Sequence, residues 1–162
     1  MKDSPKRSKT LDRTDRRILQ CLQADGRISN VNLARKVNLT PTPCIERVKR
    51  LEKHGYILGY TALLDPQKVG YSLLVFIEID LSHNSPDGFK QFRKEAQALP
   101  EVMECHLVSG NFDYLIKARV SDMKAYRELL GEKILSLPSV KASRSYVVME
   151  EIKETLNLQL PL

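Results

Sequence analysis

The sequence predicts an α+β chain in two parts. A winged helix-turn-helix is expected over residues 1–64, a ferredoxin-like βαββαβ domain over 71–162, and a linker over 65–70. Three observations carry this. Cap and stop residues frame three short helix-periodic segments before residue 56. Beyond residue 70, strand-like and helix-like segments alternate in β-α-β-β-α-β order. Charge divides the same way: residues 1–60 hold 14 Lys+Arg against 6 Asp+Glu, and the rest hold 12 against 14. The net charge of +6 therefore comes from an N-terminal part at +8 and a remainder at −2. That asymmetry points to an anionic partner for the N-terminal part, with nucleic acid leading.

The first helix opens at Asp12, whose carboxylate can cap free backbone N–H groups, with Asp15 three residues on. Ile18, Leu19 and Leu22 then recur at helical spacing, and Asp25-Gly26 ends the run. Ser29 or Asn30 caps a short second helix through Val31, Leu33, Ala34 and Val37. Asn38-Leu39-Thr40 reads as the turn of a helix-turn-helix, and Thr40-Pro41 starts the third helix with proline where a missing N–H is harmless. Cys44, Ile45, Val48 and Leu51 fall on its inner side. Thr42, Glu46, Lys49 and Lys53 fall on its outer side, flanked by Arg47 and Arg50.

Such a helix, hydroxylated at its start and cationic along its length, suits a major groove: N-terminal residues meet base edges while Lys and Arg meet phosphates. The expected DNA-facing set is Asn30, Thr40, Thr42, Pro43, Glu46, Arg47, Lys49, Arg50 and Lys53, and the partner is double-stranded DNA. Residues 56–64, β-branched and aromatic around Gly59, predict a two-stranded wing, and residues 1–10 form a basic tail. A plain three-helix bundle with a solvated basic face is the alternative.

In the second part, strands are expected at 71–80, 102–109, 114–120 and 140–149, with helices at 87–99 and from Asp122 to about Leu135. Gly110-Asn111 reads as a tight hairpin turn. Both helices cover one sheet face, so the other face calls for a partner subunit, and a dimer is expected over a monomer with a solvated face.

The chain contains no apolar run near the ~20 residues of a membrane span, and its basic N-terminus lacks an apolar segment behind it, so a cytoplasmic protein without membrane association is expected. Cys21, Cys44 and Cys105 match no metal spacing and read as small buried hydrophobes. His54, His83 and His106 likewise show no metal spacing, and no nucleophile motif or phosphate-binding glycine loop occurs. The expectation is a protein that is not an enzyme, with no catalytic residues, no metal and no cofactor.

Several segments carry a family resemblance: LDRTDRRIL at 11–19, DGRISNVNLARKVNLTPTPCIERVKRLEKHGYI at 25–57, GYTALL at 59–64, ECHLVSGNFDYLIKARV at 104–120, MKAYRELLGEKILSLPSV at 123–140 and YVVMEEIK at 146–153. The chain resembles the Lrp/AsnC family of feast/famine regulators over nearly its whole length. The segments 82–86 and 157–162 follow no motif of that family.

The resemblance implies a transcription regulator of amino-acid metabolism whose C-terminal (RAM) domain dimerises, assembles to octamers and binds an amino-acid effector, leucine by overall similarity. It implies an effector pocket between dimers at Leu107, Gly110, Asp113, Met123, Leu135, Tyr146, Val147 and Val148. The chemistry suits that role. Asp113 offers an anion for the ligand ammonium, backbone N–H groups near Gly110 offer donors for its carboxylate, and the aliphatic residues offer a wall. The competing reading makes Asp113 a hairpin cap and the apolar residues core. An architectural protein that wraps DNA with little ligand control also stays open.

Overall fold

The computed structural model describes residues 11–82 and 86–161. Its packing divides the chain into two units, one of Met1–Leu63 with Glu154–Leu162 and one of Leu64–Lys153. The expected basic tail at 1–10 lies outside the described residues.

The first unit holds α1 (Arg13–Ala24), α2 (Asn30–Lys36) and α3 (Pro41–Lys53). A reciprocal capping box starts α1: the Asp12 carboxylate accepts from the Asp15 N–H at 2.7 Å and Asp15 accepts from the Asp12 N–H at 3.3 Å. Ser29 caps α2 through the Asn32 N–H. Thr40 stands at the N-cap of α3 without a side-chain capping bond, ahead of Pro41. Asn38, at φ 56°, makes the left-handed step between α2 and α3, and Gly55, at φ 73°, makes the one that ends α3. Ile18, Leu19, Leu33, Ala34, Val37, Cys44 and Leu51 close over one another as the core of this unit.

The expected wing differs. Residues 56–64 carry no strand, and Leu58, Leu63 and Leu64 are exposed. Around Ile57 the backbone is instead drawn back to α3, with the Tyr56 and Ile57 N–H groups both donating to the Leu51 carbonyl. No ladder joins the two halves of 56–64 among the described residues.

The second unit contains β1 (Leu73–Leu81), α4 (Pro86–Ala96), β2 (Val102–Leu107), β3 (Tyr114–Val120), α5 (Met123–Glu128), a π-helical continuation (Leu129–Ile134) and β4 (Val140–Val147). The strand order β2-β3-β1-β4, antiparallel throughout, is that of the ferredoxin-like fold. Val75, Ile77 and Ile79 of β1 and Tyr114, Ile116 and Ala118 of β3 share the inner face, packed with Phe92, Ala96, Tyr126, Leu129 and Ile134 from the helices. Burying each such aliphatic side chain contributes about 1.5–3 kcal/mol. The opposite face is mixed: Leu74, Phe76 and Leu115 lie there with ion pairs, Glu78 of β1 receiving Arg144 and the Tyr146 hydroxyl of β4, and Glu104 of β2 pairing with Lys117 of β3. The single helix expected from Asp122 to about Leu135 begins at an Asp122 cap but changes to π-helical spacing at Leu129.

The effector domain expected over 71–162 is shorter than that in its packing. Residues 154–162 belong with the first unit, where Leu160 touches the core beside α1.

Candidate nucleic-acid interface and effector site

Helix α3 is anchored from beneath. Arg47 donates to Asp12 at 2.6 Å and to Asp15 at 2.8 Å, and Arg50 meets Asp15 at 2.5 Å. Asp15 is 2% exposed, so its charge is neutralised almost entirely by these two guanidiniums. Hydrogen bonding from Arg47 holds the Asp12 carboxyl below its usual range, and Asp12 and Asp15 raise Arg47 in turn. His54 closes the helix through Nδ1, 2.7 Å from the Arg50 carbonyl.

Within the expected DNA-facing set, the structure separates two kinds of cation. Arg47 and Arg50 are half-buried and spent on α1. Asn30, Thr40, Thr42, Pro43, Glu46, Lys49 and Lys53 are exposed. Asp12 and Asp15, read in the sequence only as caps, are the residues that sequence reasoning missed here. The available signal was the matched spacing of two acids three apart on α1 and two arginines three apart on α3.

A further pair shapes the same unit: Tyr60 donates to Glu52 at 2.9 Å, and burial with that carboxylate pushes its phenol up to about 12. Burial likewise pushes the Cys44 and Cys105 thiols up, which keeps them protonated and unreactive.

In the second unit the residues expected at the effector site fall into two groups. Leu107 lies opposite Tyr114, which lies opposite Ile79, at one end of the sheet. Asp113 sits there too: its N–H donates to the Ile79 carbonyl at 2.9 Å, and its Oδ2 accepts from the Leu81 N–H at 2.8 Å. One carboxylate oxygen is thus occupied at the end of β1, while the β2–β3 hairpin is closed by main chain, the Val108 N–H donating to the Asp113 carbonyl at 3.0 Å. Gly110 is in the same loop, and Leu135 ends the π-helical segment as the chain turns toward β4, whose Val140 pairs with Leu81.

Val147, by contrast, lies opposite Val75, with Tyr146 and Val148 beside it at the other end, where Met123 begins α5 after Val120. The two groups are separated by four residues along β1, about 13 Å, and Leu107 and Val147 by three strand spacings, about 14 Å. Leu107 and Val147 thus mark diagonal corners of the sheet, while Tyr146 pairs with Phe76 on the opposite face from Val147. Leu107, Met123, Leu135, Tyr146 and Val147 are all exposed apolar residues. This is open surface rather than core, and no single chain gathers it into one pocket.

Known proteins identify the family. Residues 11–57 match the model of a winged helix-turn-helix DNA-binding domain, and residues 74–158 match that of the Lrp/AsnC ligand binding domain. The chain belongs to the Lrp/AsnC family. It is a transcription regulator with a DNA-binding head and a ligand-binding domain.

Leucine-responsive regulatory proteins of Klebsiella pneumoniae and Escherichia coli K12 are each 60% identical to it over 159 residues, 98% of this chain and 97% of theirs. A transcriptional regulator from Neisseria meningitidis, solved in complex with L-Met, superposes with a TM-score of 0.89 at 39% identity, covering 93% of this chain and 97% of that one. An AsnC family regulator from Agrobacterium tumefaciens gives 0.88 at 37%, covering 92% and 97%. Among the described residues no helix is long and apolar enough to cross a membrane, and no cluster of His, Cys, Asp or Glu forms a metal site.

Proposed function

We propose that this regulator senses a free aliphatic amino acid, leucine, at a site completed only when chains associate, and that occupancy alters its assembly or its grip on double-stranded DNA. The observation that carries this is the diagonal separation of the two effector groups. An amino acid needs an anion, carboxylate donors and an apolar wall within one small volume. The Asp113 corner of one chain and the Val147 corner of another supply these together. The free oxygen of Asp113 faces the ammonium, and the loop at Gly110 offers the donors. The names of the relatives favour leucine, and the L-Met complex favours an aliphatic side chain more generally.

Reading of DNA falls to the exposed face of α3. Thr40, Thr42 and Pro43 meet base edges together with Glu46, while Lys49 and Lys53 meet phosphates, with Asn30 of α2 beside the backbone. A dimer, assembling further to an octamer in the cytoplasm, is the form in which head and sensor act.

The test is sedimentation and calorimetry of the full chain with leucine, methionine and the remaining amino acids. Saturable heat with leucine, accompanied by a shift in oligomer size or operator affinity, is the expected result. Silence across all twenty would remove the sensory reading and leave a DNA-wrapping protein.

A further inference from the structure

The outward side of α1 holds a row of three long polar residues, Arg16, Gln20 and Gln23, four and three positions apart and hence on one helical face. Every one of them is engaged with the main chain of the segment 158–161. Gln23 makes a reciprocal pair with Leu158, its Nε2 donating to the Leu158 carbonyl at 3.1 Å and its Oε1 accepting from the Leu158 N–H at 2.7 Å. Gln20 donates to the Leu160 carbonyl at 3.0 Å, and Arg16 to the Pro161 carbonyl at 2.8 Å.

The fit is commensurate. Seven residues of α1 rise about 10.5 Å, and three residues of extended chain span about 10 Å. The segment therefore runs antiparallel to α1 with a carbonyl at each of the three side chains. Pro161 lacks an N–H, and only its carbonyl is used. One side chain enters the packing: Leu160 touches the core of the head, whereas Leu156 and Leu158 are 69% and 73% exposed.

We propose that this face of α1 is a binding site for an extended peptide, that it reads the peptide main chain with one apolar anchor, and that its ligand is the carboxy-terminal segment of this same sequence. A surface that recognises amides and carbonyls does not depend on most side chains of its ligand. Its affinity for the tail in the intact chain rests on the tether, which supplies a high effective concentration. The docked tail is an exchangeable ligand of the head rather than an integral part of its core.

Hydrogen exchange on the full chain tests the docked state. The Leu158 amide exchanges at least about tenfold more slowly than in a free peptide, because Gln23 holds it. In Gln23→Ala that protection disappears, while the amides of α2 and α3 keep theirs. Free-peptide exchange at Leu158 in the parent chain, or unchanged protection in Gln23→Ala, would overturn the proposal.

A second experiment uses the full-length Leu160→Asp chain, whose own tail no longer anchors, and a fluorescent peptide of residues 154–162. The expected result is saturable binding, at least about tenfold stronger than to the parent chain with its tethered competitor. Methylating the Leu158 nitrogen of the peptide abolishes that binding. Absence of saturable binding, or equal binding of the methylated peptide, rejects a site that reads the main chain.

Discussion

Asp15 of α1 and Arg50 of α3 lie 2.5 Å apart, with the carboxylate shut away from water and the guanidinium half exposed. Together with Arg47 they form a charged joint between the first helix and the helix that reads DNA. Asp15→Ala leaves Arg50 without its carboxylate partner and Arg47 with Asp12 alone. A loss of about 1–3 kcal/mol follows, below the figure for a fully buried pair because both arginines retain water contact. Urea denaturation measures it, and a loss under 0.5 kcal/mol (about the surface-substitution range) would show that the joint does not hold the helix.

The same joint divides the cations of α3 by what they do on DNA. Lys49→Ala lowers the slope of log binding constant against log salt by about one, as expected for one lost phosphate contact. Arg50→Gln lowers the melting temperature and leaves that slope alone. The reverse pattern would transfer the phosphate contact from Lys49 to Arg50. Thr42→Ala, at the exposed start of the helix, weakens operator binding by about 1–3 kcal/mol at one base position without changing the slope.

Acid separates the joint in a defined direction. Asp12 titrates below the usual aspartate value of about 3.9 because Arg47 bonds its charged form. Its contribution is complete above the unfolded-state pKa and is lost as pH falls through the lower folded-state value. Asp12→Asn therefore narrows the stability difference between pH 6 and pH 3 (roughly the window that spans the unfolded aspartate pKa). Identical acid-unfolding curves for parent and variant would contradict that assignment.

Two-corner sensing has its own test. Leu107→Glu disables one corner and Val147→Glu the other, so neither variant alone binds the amino acid. Mixing the two in equal amounts and allowing subunits to exchange restores a fraction of the sites, those assembled from the intact corner of each. Calorimetry of the mixture that stays flat would place the whole site within one chain.

How far the sequence discloses this molecule depends on the range of the interaction. Three helices with their caps at Asp12 and Ser29 and stops at Asn38 and Gly55 were legible because each signal lies within a few residues of its effect. The βαββαβ order was legible for the same reason. The Asp15–Arg50 pair joins residues 35 positions apart, and nothing local distinguishes those arginines from Lys49 or Lys53. The wing over 56–64 shows the opposite failure: its composition suits a strand, but a strand forms only against a partner, and none pairs with it among the described residues. The tail escaped notice because Asn-Leu-Gln-Leu at 157–160 has no helical stripe, and its bonds go to side chains over a hundred residues earlier.

The diagonal placement of Leu107 and Val147 has a consequence for signalling in the cell. If each corner is half a receptor, an isolated chain is deaf to nutrient at any concentration. Response then scales with the abundance of the regulator as well as with that of the amino acid, as in a logical AND of the two. Dilution into separate chains would then silence the sensor however much effector is present.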